Sequence, residues 1–250
     1  HRGSPVSRPA IAFLSCLLSA FALAGTPTDE AFQNLADEYI SDLTNFSPVT
    51  ATVIGDHSAD GEIDQVDAVG RAETLALLRE YQAALNKLDR DEMSRANQVD
   101  AELLLHEIES SIWSAETLQE WAWNPLYYIN ISGGAIYGLL ARDFAPIASR
   151  LVSATSRLEQ IPRFLEQARA SIEPDRVPKI HAETAITHNP GLKSINETMN
   201  VPQMDALTSP QQERLRAAID TAKNAVADHH TSLEDELLPH AHCKFRIAAY

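Results

Sequence analysis

Apolar residues recur at intervals of three and four along most of the chain, and this spacing is typical of amphipathic helices. Thr26 followed by Pro27 is a helix start signal, because proline suits the first helical position and threonine caps it. The apolar positions that follow are Phe32, Leu35, Tyr39, Leu43 and Phe46. The pattern therefore predicts an amphipathic helix beginning near residue 27.

Similar spacing predicts helices along the rest of the chain. They are expected at about 48–54, 69–88, 94–119, 146–170, 178–199 with a break near 189–191, and from Ser209, where a capping box with Gln212 begins a long helix. The chain has only 9 glycines, so long tracts contain none, and such tracts favour helices over turn-rich β architectures. No repeat or linker divides the sequence, which predicts one continuous all-α unit.

One stretch departs from this pattern, around residues 121–137. Tyr127 to Ser132 is a β-leaning run, and Gly133-Gly134 indicates a turn, so an irregular segment rich in aromatic residues and glycine is predicted here. Such residues are typical of a ligand cleft, and equally of a plug in the core between helices. If the segment forms a cleft, the candidate lining residues are Trp121, Trp123, Tyr127, Tyr128 and Tyr137.

Charge narrows the range of partners. The chain carries 20 Lys and Arg against 35 Asp and Glu, a formal net charge of −15. Nucleic-acid binding needs a basic surface, so no nucleic-acid partner is expected. The hydrophobic fraction of 44% is enough to fill a core and argues against intrinsic disorder.

The first 24 residues have the three parts of a secretory signal peptide. Arg2 and Arg8 precede an apolar run from Ala10 to Phe21, and Ala22-Leu23-Ala24 supplies a cleavage site. The run is shorter than the ~20 residues that a membrane span needs, and Phe13-Leu14-Ser15 before Cys16 is a poor lipobox. We therefore expect residues 25–250 to be exported, to the periplasm or outside the cell, with membrane contact only through export.

Two groups of residues contain ligands that zinc prefers. His106-Glu107 resembles the start of a zinc-peptidase helix, but Ser110 stands where the second histidine is needed. The other group lies near the C-terminus, and Pro239 interrupts it, so its residues do not have the spacing of a closed four-ligand zinc site. The favoured interpretation is that they are incidental histidines in a turn. Its members are His229, His230, His240, His242 and Cys243.

Seven short segments, in this order and spacing, resemble the N-terminal half of the bacterial "domain of unknown function 885" family. They are LADEY (35–39), SPVTAT (47–52), GDH (55–57), DAELL (100–104), WAWNPLYY (121–128), LEQIPRFL (158–165) and EDELLP (234–239). The resemblance implies a longer, mostly helical, exported protein similar to zinc metallopeptidases of the zincin type. In that family the metal segment, similar to His-Glu-x-x-x-x-His-His, lies in the C-terminal half. No position of this chain matches it, so no metal ligand and no catalytic residue is assigned here.

The resemblance predicts that residues 25–250 are the N-terminal helical part of a zincin-like domain truncated at its C-terminus. Zinc, a peptide substrate and the missing C-terminal half are then expected for the full-length protein, and this chain alone is expected to be inactive and to hold no zinc. The tail from Phe245 to Tyr250 would belong to the surface that meets the missing half. The alternative is an exported helical module that binds a ligand or partner without catalysis.

Overall fold

The structure is a computed structural model that describes residues 25–191, 194 and 199–243. The predicted signal peptide at 1–24 and the tail from Phe245 to Tyr250 lie outside the described residues. Nine α-helices occur in the described part: α1 Pro27–Phe46, α2 Pro48–Ile54, α3 Ala68–Leu85, α4 Arg95–Trp113, α5 Glu120–Trp123, α6 Pro125–Leu140, α7 Ile147–Ser171, α8 Lys179–His188 and α9 Ser209–Ser232.

The all-α prediction is confirmed. The described residues contain no strand, and their extended pairing is limited to one isolated bridge between Pro178 and Cys243. No helix in this part of the chain combines the length and apolarity that crossing a membrane would require.

Local signals set several helix ends. Thr26 Oγ1 accepts a hydrogen bond from the Asp29 amide, and Pro27 is the first residue of α1, as predicted. Gly55 ends α2 in the left-handed region at φ 99°, which glycine adopts without steric cost. The predicted capping box at Ser209 is wrong by one residue, because Thr208 is the N-cap of α9 and pairs with Gln211.

The prediction of an irregular segment around 121–137 is wrong. Tyr127 to Ser132 and the Gly133-Gly134 pair all lie inside α6, which Asn124 caps by accepting from the Leu126 amide. A Cβ on Gly134 would lie 3.8 Å from Val49 of α2, which is an ordinary contact distance, so the packing of α6 on α2 does not require glycine at this position. Capping and packing outweigh the β propensity of the run. The irregular backbone lies earlier, in the π-helical turn Ser114–Leu118 and at Gln119, where φ is 51°.

Three apolar clusters make up the core. The largest surrounds α7, whose residues Leu151, Leu158 and Ile161 are fully buried against α6 and α9. The second joins α1, α3 and α4 through residues such as Phe32, Leu85 and Ile108, which together form a three-helix unit. The third packs α8 against the turn Leu233–Leu237.

A row of polar side chains on α7, which begins at Arg157, holds the segment that connects α2 to α3. The guanidinium of Arg157, which is 0% exposed, donates to the carbonyl oxygens of Glu62 at 2.7 Å, Ala135 at 2.8 Å and Pro48 at 3.1 Å. It also donates to Thr52 Oγ1 at 2.7 Å. Burial lowers the pKa of Arg157, and the carboxylates of Asp60, Asp64 and Glu62 oppose that effect. One side chain thus joins α7 to α2, to α6 and to the connecting segment.

Replacing Arg157 with methionine keeps the apolar stem but removes the donor to four acceptors, of which the Pro48 carbonyl still accepts from Thr52 Oγ1. Each unsatisfied buried group costs about 1–3 kcal/mol, so we expect Arg157→Met to lower the free energy of unfolding by about 3 kcal/mol or more in urea denaturation. The control is Arg216→Met on α9, where an exposed arginine bonds only Gln212, and a change within about 0.5 kcal/mol is expected. A loss below about 1 kcal/mol for Arg157→Met would show that the network contributes little.

Candidate functional site

A cleft of about 330 Å³ lies between the three-helix unit and the core around α7. The three-helix unit supplies Tyr39, Leu78 and Glu107, and the opposite wall comes from Asp64, Trp121 and Tyr127. The cleft therefore combines apolar rings with charged groups of both signs. A few polar groups on apolar walls are the usual composition of a ligand site.

Arg71 lines the cleft from the first turn of α3. Its guanidinium carbon is 4.0 Å from the centroid of the Trp121 ring, which is cation–π geometry. Its Nη1 donates to the Val66 carbonyl at 2.5 Å and to Ser171 Oγ at 2.8 Å. These bonds fix the cation against the aromatic face.

The preceding residue, Gly70, allows this arrangement. A Cβ at Gly70 would lie 2.6 Å from the Gln65 carbonyl oxygen, closer than real Cβ contacts come. A larger residue would push the start of α3 away from the segment that ends at Asp67. The Asp67 carboxylate caps α3 by accepting a hydrogen bond from the Gly70 amide at 2.9 Å. The position of Arg71 thus depends on its glycine neighbour.

Trp121 is held through its backbone and its indole. Its Nε1 donates to the Ala115 carbonyl at 3.1 Å, and its own carbonyl accepts from the Tyr128 hydroxyl at 2.6 Å. Arg176 donates to Gln119 Oε1 at 2.9 Å, close to the left-handed residue that precedes α5. The π-helical turn and Gln119 together place the indole against Arg71.

Acidic groups line the same cleft, namely Asp64, Glu107 and Glu120. Asp64 is 7% exposed, and its carboxylate accepts from Ser47 Oγ at 2.9 Å and from the Val49 amide at 3.2 Å. Burial raises the pKa of Asp64 despite those bonds. Burial also raises the pKa of the Tyr127 hydroxyl, and the carboxylates of Asp64 and Glu120 add to that effect.

The five sequence-predicted candidates lie in four environments. Trp121 and Tyr127 line the cleft together. Tyr128 is fully buried and packs edge-on against Tyr127 at 5.0 Å between ring centroids. Trp123 donates from Nε1 to the Leu118 carbonyl and its ring packs beside His181, while Tyr137 is 56% exposed on α6.

Sequence reasoning missed Arg71 and Asp64. Each lies in an ordinary charged or helical context, and nothing in the spacing of residues relates them to the aromatic residues some 50 positions later. The closest available signal is Gly70 directly before Arg71, since an isolated glycine at a helix start indicates close backbone approach.

The two groups of zinc-type residues are dispersed. His106 is exposed, and Glu107 lines the cleft. In the C-terminal group, His229 is buried, whereas His240, His242 and Cys243 are exposed. Across the described ranges, no three His, Cys, Asp or Glu residues form a group that could hold a metal ion.

A comparison with known protein families identifies the family of this chain. The family described as "Bacterial protein of unknown function (DUF885)" matches residues 48–249. The chain belongs to this family. The match includes both Arg71 and Trp121 of the cleft, and it confirms the resemblance at the level of the DUF885 family.

A solved structure supports the fold of this DUF885 protein. It is titled "The structure of a putative lipoprotein of unknown function from Shewanella oneidensis", and it is 27% identical with a TM-score of 0.76. The match covers 82% of this chain and 37% of the Shewanella chain, so this chain spans little more than a third of that structure's length. No curated protein matches the chain.

A double-mutant cycle tests the contact between Arg71 and Trp121. With Arg71→Met and Trp121→Leu we expect a coupling energy of about 0.5–1.5 kcal/mol in urea denaturation, since a partly buried cation–π pair contributes about that much. The matched control pairs Arg71→Met with Trp123→Leu, because the Trp123 ring packs beside His181 instead. A coupling within about 0.3 kcal/mol is expected for the control, and equal values in both cycles would contradict the stacked geometry.

Proposed function

We propose that this chain forms the N-terminal helical wall of the substrate cleft in an exported zinc-dependent peptidase. Membership of the DUF885 family and the sequence resemblance to zincin-type peptidases support the proposal. The observation that carries it is the cleft itself, which is lined by the fixed Arg71–Trp121 pair and by buried and exposed carboxylates.

An extended peptide matches the chemistry of this cleft. Its apolar side chains would pack against Trp121 and Tyr127, as substrates do in sites with aromatic walls. Its amide groups would meet the hydroxyls of Ser47, Thr50 and Ser111, which also line the cleft. Both signs of charge are present, so an ionised peptide terminus or side chain would find a partner.

Zinc does not fit the residues that the structure describes, because no group of suitable ligands comes together among them. We therefore assign no catalytic step to this chain. Its role in the proposal is to bind and orient the substrate, and the metal chemistry belongs to the full-length protein.

Export is part of the proposal. The first 24 residues have the order of a secretory signal peptide. The similar Shewanella structure carries the word lipoprotein in its title, and lipoproteins are exported and anchored to a membrane. An exported location, periplasmic or secreted, agrees with both.

Peptide hydrolysis by the full-length protein and by the 250-residue chain tests the proposal. For Trp121→Leu in the full-length protein we expect KM to rise about tenfold with kcat within about threefold, because a wall residue contributes to binding in the ground state and in the transition state alike. Trp123→Leu is the matched control and should leave KM within about twofold. We expect the 250-residue chain to show no hydrolysis.

Two outcomes would contradict the proposal. Chelator-sensitive hydrolysis by the 250-residue chain alone would show that the catalytic residues are already present in it. The second outcome is that the full-length protein binds peptides in a way that depends on Trp121 but hydrolyses none under any metal supplementation. That result would instead favour the non-enzymatic binding module.

A further inference from the structure

The outer side of α4 carries a stripe of side chains that contains no carboxylate, lysine or arginine. Its positions follow one another at spacings of three and four, so they lie on one side of the helix, and all of them are exposed. The residues that form this outer stripe are Ala96, Val99, Leu103, His106, Ser110 and Trp113. Leu103 is 63% exposed and Trp113 is 49% exposed. The side of a surface helix that meets water is normally charged or polar, so the outer stripe has the composition of a covered face.

The opposite side of α4 is already packed. Ala101 and Ile108 are buried among the apolar residues of α1 and α3 that complete the three-helix unit. The outer stripe takes no part in that packing. Positions at alternating spacings of three and four are those along which one helix packs against another. A contiguous exposed stripe with large apolar residues therefore indicates an interface.

The charges beside the outer stripe restrict what can cover it. Carboxylates flank it along both edges, with Asp100 and Glu107 on one side and Glu102 and Glu109 on the other. Arg95, in the first turn, is the only lysine or arginine of α4. In a pair of helices the flanking positions meet those of the partner, and like charges there repel each other. A second copy of this face would place carboxylates against carboxylates, whereas a helix with basic flanks would be complementary.

Two observations relate the outer stripe to the full-length protein. Glu107 flanks the stripe and also lines the cleft, so a segment that covers the stripe lies next to the cleft. The match with the Shewanella structure covers 37% of that chain, so more than half of a protein with this fold lies outside the matched part. A chain of that length has room for the covering helix.

We propose that the outer stripe of α4 is the docking surface for one amphipathic helix from the part of the full-length protein outside this chain. The apolar side of that helix packs on Leu103 and Trp113, and its flanks carry lysine or arginine opposite the carboxylates of α4. The inference rests on the proposed function for the existence of the full-length protein, but not for its catalysis. Docking here places the remainder of the protein beside the cleft that this chain supplies.

Maleimide labelling of Leu103→Cys tests the proposal, with the labelled peptide quantified by mass spectrometry. In the full-length protein we expect Leu103→Cys to react at least about tenfold more slowly than Arg216→Cys, because the docked helix must open before the reagent reaches the thiol. Arg216 is the matched control, since it is exposed on α9. In the 250-residue chain both positions meet water, and their rates should agree within about threefold.

The flanking carboxylates provide a second test. Adding Glu102→Lys and Glu109→Lys to the full-length Leu103→Cys variant should make labelling at least about threefold faster, because the new lysines would repel basic flanks on the docked helix. Glu213→Lys, at an exposed position on α9, is the control and should leave the rate unchanged. An unchanged rate in the folded double-lysine variant would overturn the assignment of a basic helix.

The Leu103→Cys comparison decides the question even if the double-lysine variant fails to fold. Equal labelling of Leu103→Cys and Arg216→Cys in the full-length protein would overturn the proposal, because the outer stripe would then meet water. Protection that disappears on dilution would also overturn it, since a second copy would then cover the stripe. Labelling does not depend on peptide hydrolysis, so a failure of the docking surface is distinguishable from a failure of the proposed peptidase activity.

Discussion

The buried guanidinium of Arg157 is the interaction on which the rest of the structure depends. A segment of about a dozen residues, 56–67, crosses α7 between α2 and α3, and its backbone carbonyls need donors once Ile63 and Val66 are buried. Arg157 supplies a donor to Glu62 and ties the same point to α2 and α6. The carboxylates of Asp60 and Asp64 stabilise the charge in this dry environment.

Arg157 begins a row of polar side chains along one face of α7, at positions 157, 160, 163, 167 and 171. Gln160 donates to the Gly61 carbonyl at 2.8 Å, Gln167 accepts from the Val66 amide at 3.2 Å, and Ser171 donates to the Val66 carbonyl at 3.2 Å. Arg71 donates to that same Val66 carbonyl. The row on α7 therefore fixes the segment that carries Asp64 and leads into Arg71, so the fold of the core determines the shape of the cleft.

Helices such as α1 and α9 could be predicted from the sequence, because they have regular apolar spacing and clear start signals. The helix α6 could not, because its β-leaning run and its glycine pair indicated an irregular segment. The cleft could be predicted only in part. Trp121 and Tyr127 were candidates as aromatic residues, but aromatic composition does not separate a cleft residue from a core residue such as Tyr128. That distinction depends on which helix packs opposite.

The row of polar residues on α7 shows why the rest of the cleft could not be predicted from the sequence. Polar residues such as Gln160 and Gln167 at helical spacing predict a solvated face, and nothing local shows that a segment 100 residues earlier covers them. The same holds for Arg71, whose partners Ser171 and Trp121 are distant in sequence. Local patterns predict the elements, whereas long-range hydrogen bonds create the site.

If the row on α7 fixes the wall of the cleft, then Gln167→Leu should loosen that wall, and amide hydrogen exchange measures this effect. Gln167 bonds both the Val66 amide and the Asp67 carboxylate. We expect about tenfold or greater loss of protection at amides of residues 63–71, with unchanged protection in α4, because only the local opening becomes easier. Unchanged protection at residues 63–71, or an equal loss throughout the chain, would contradict it.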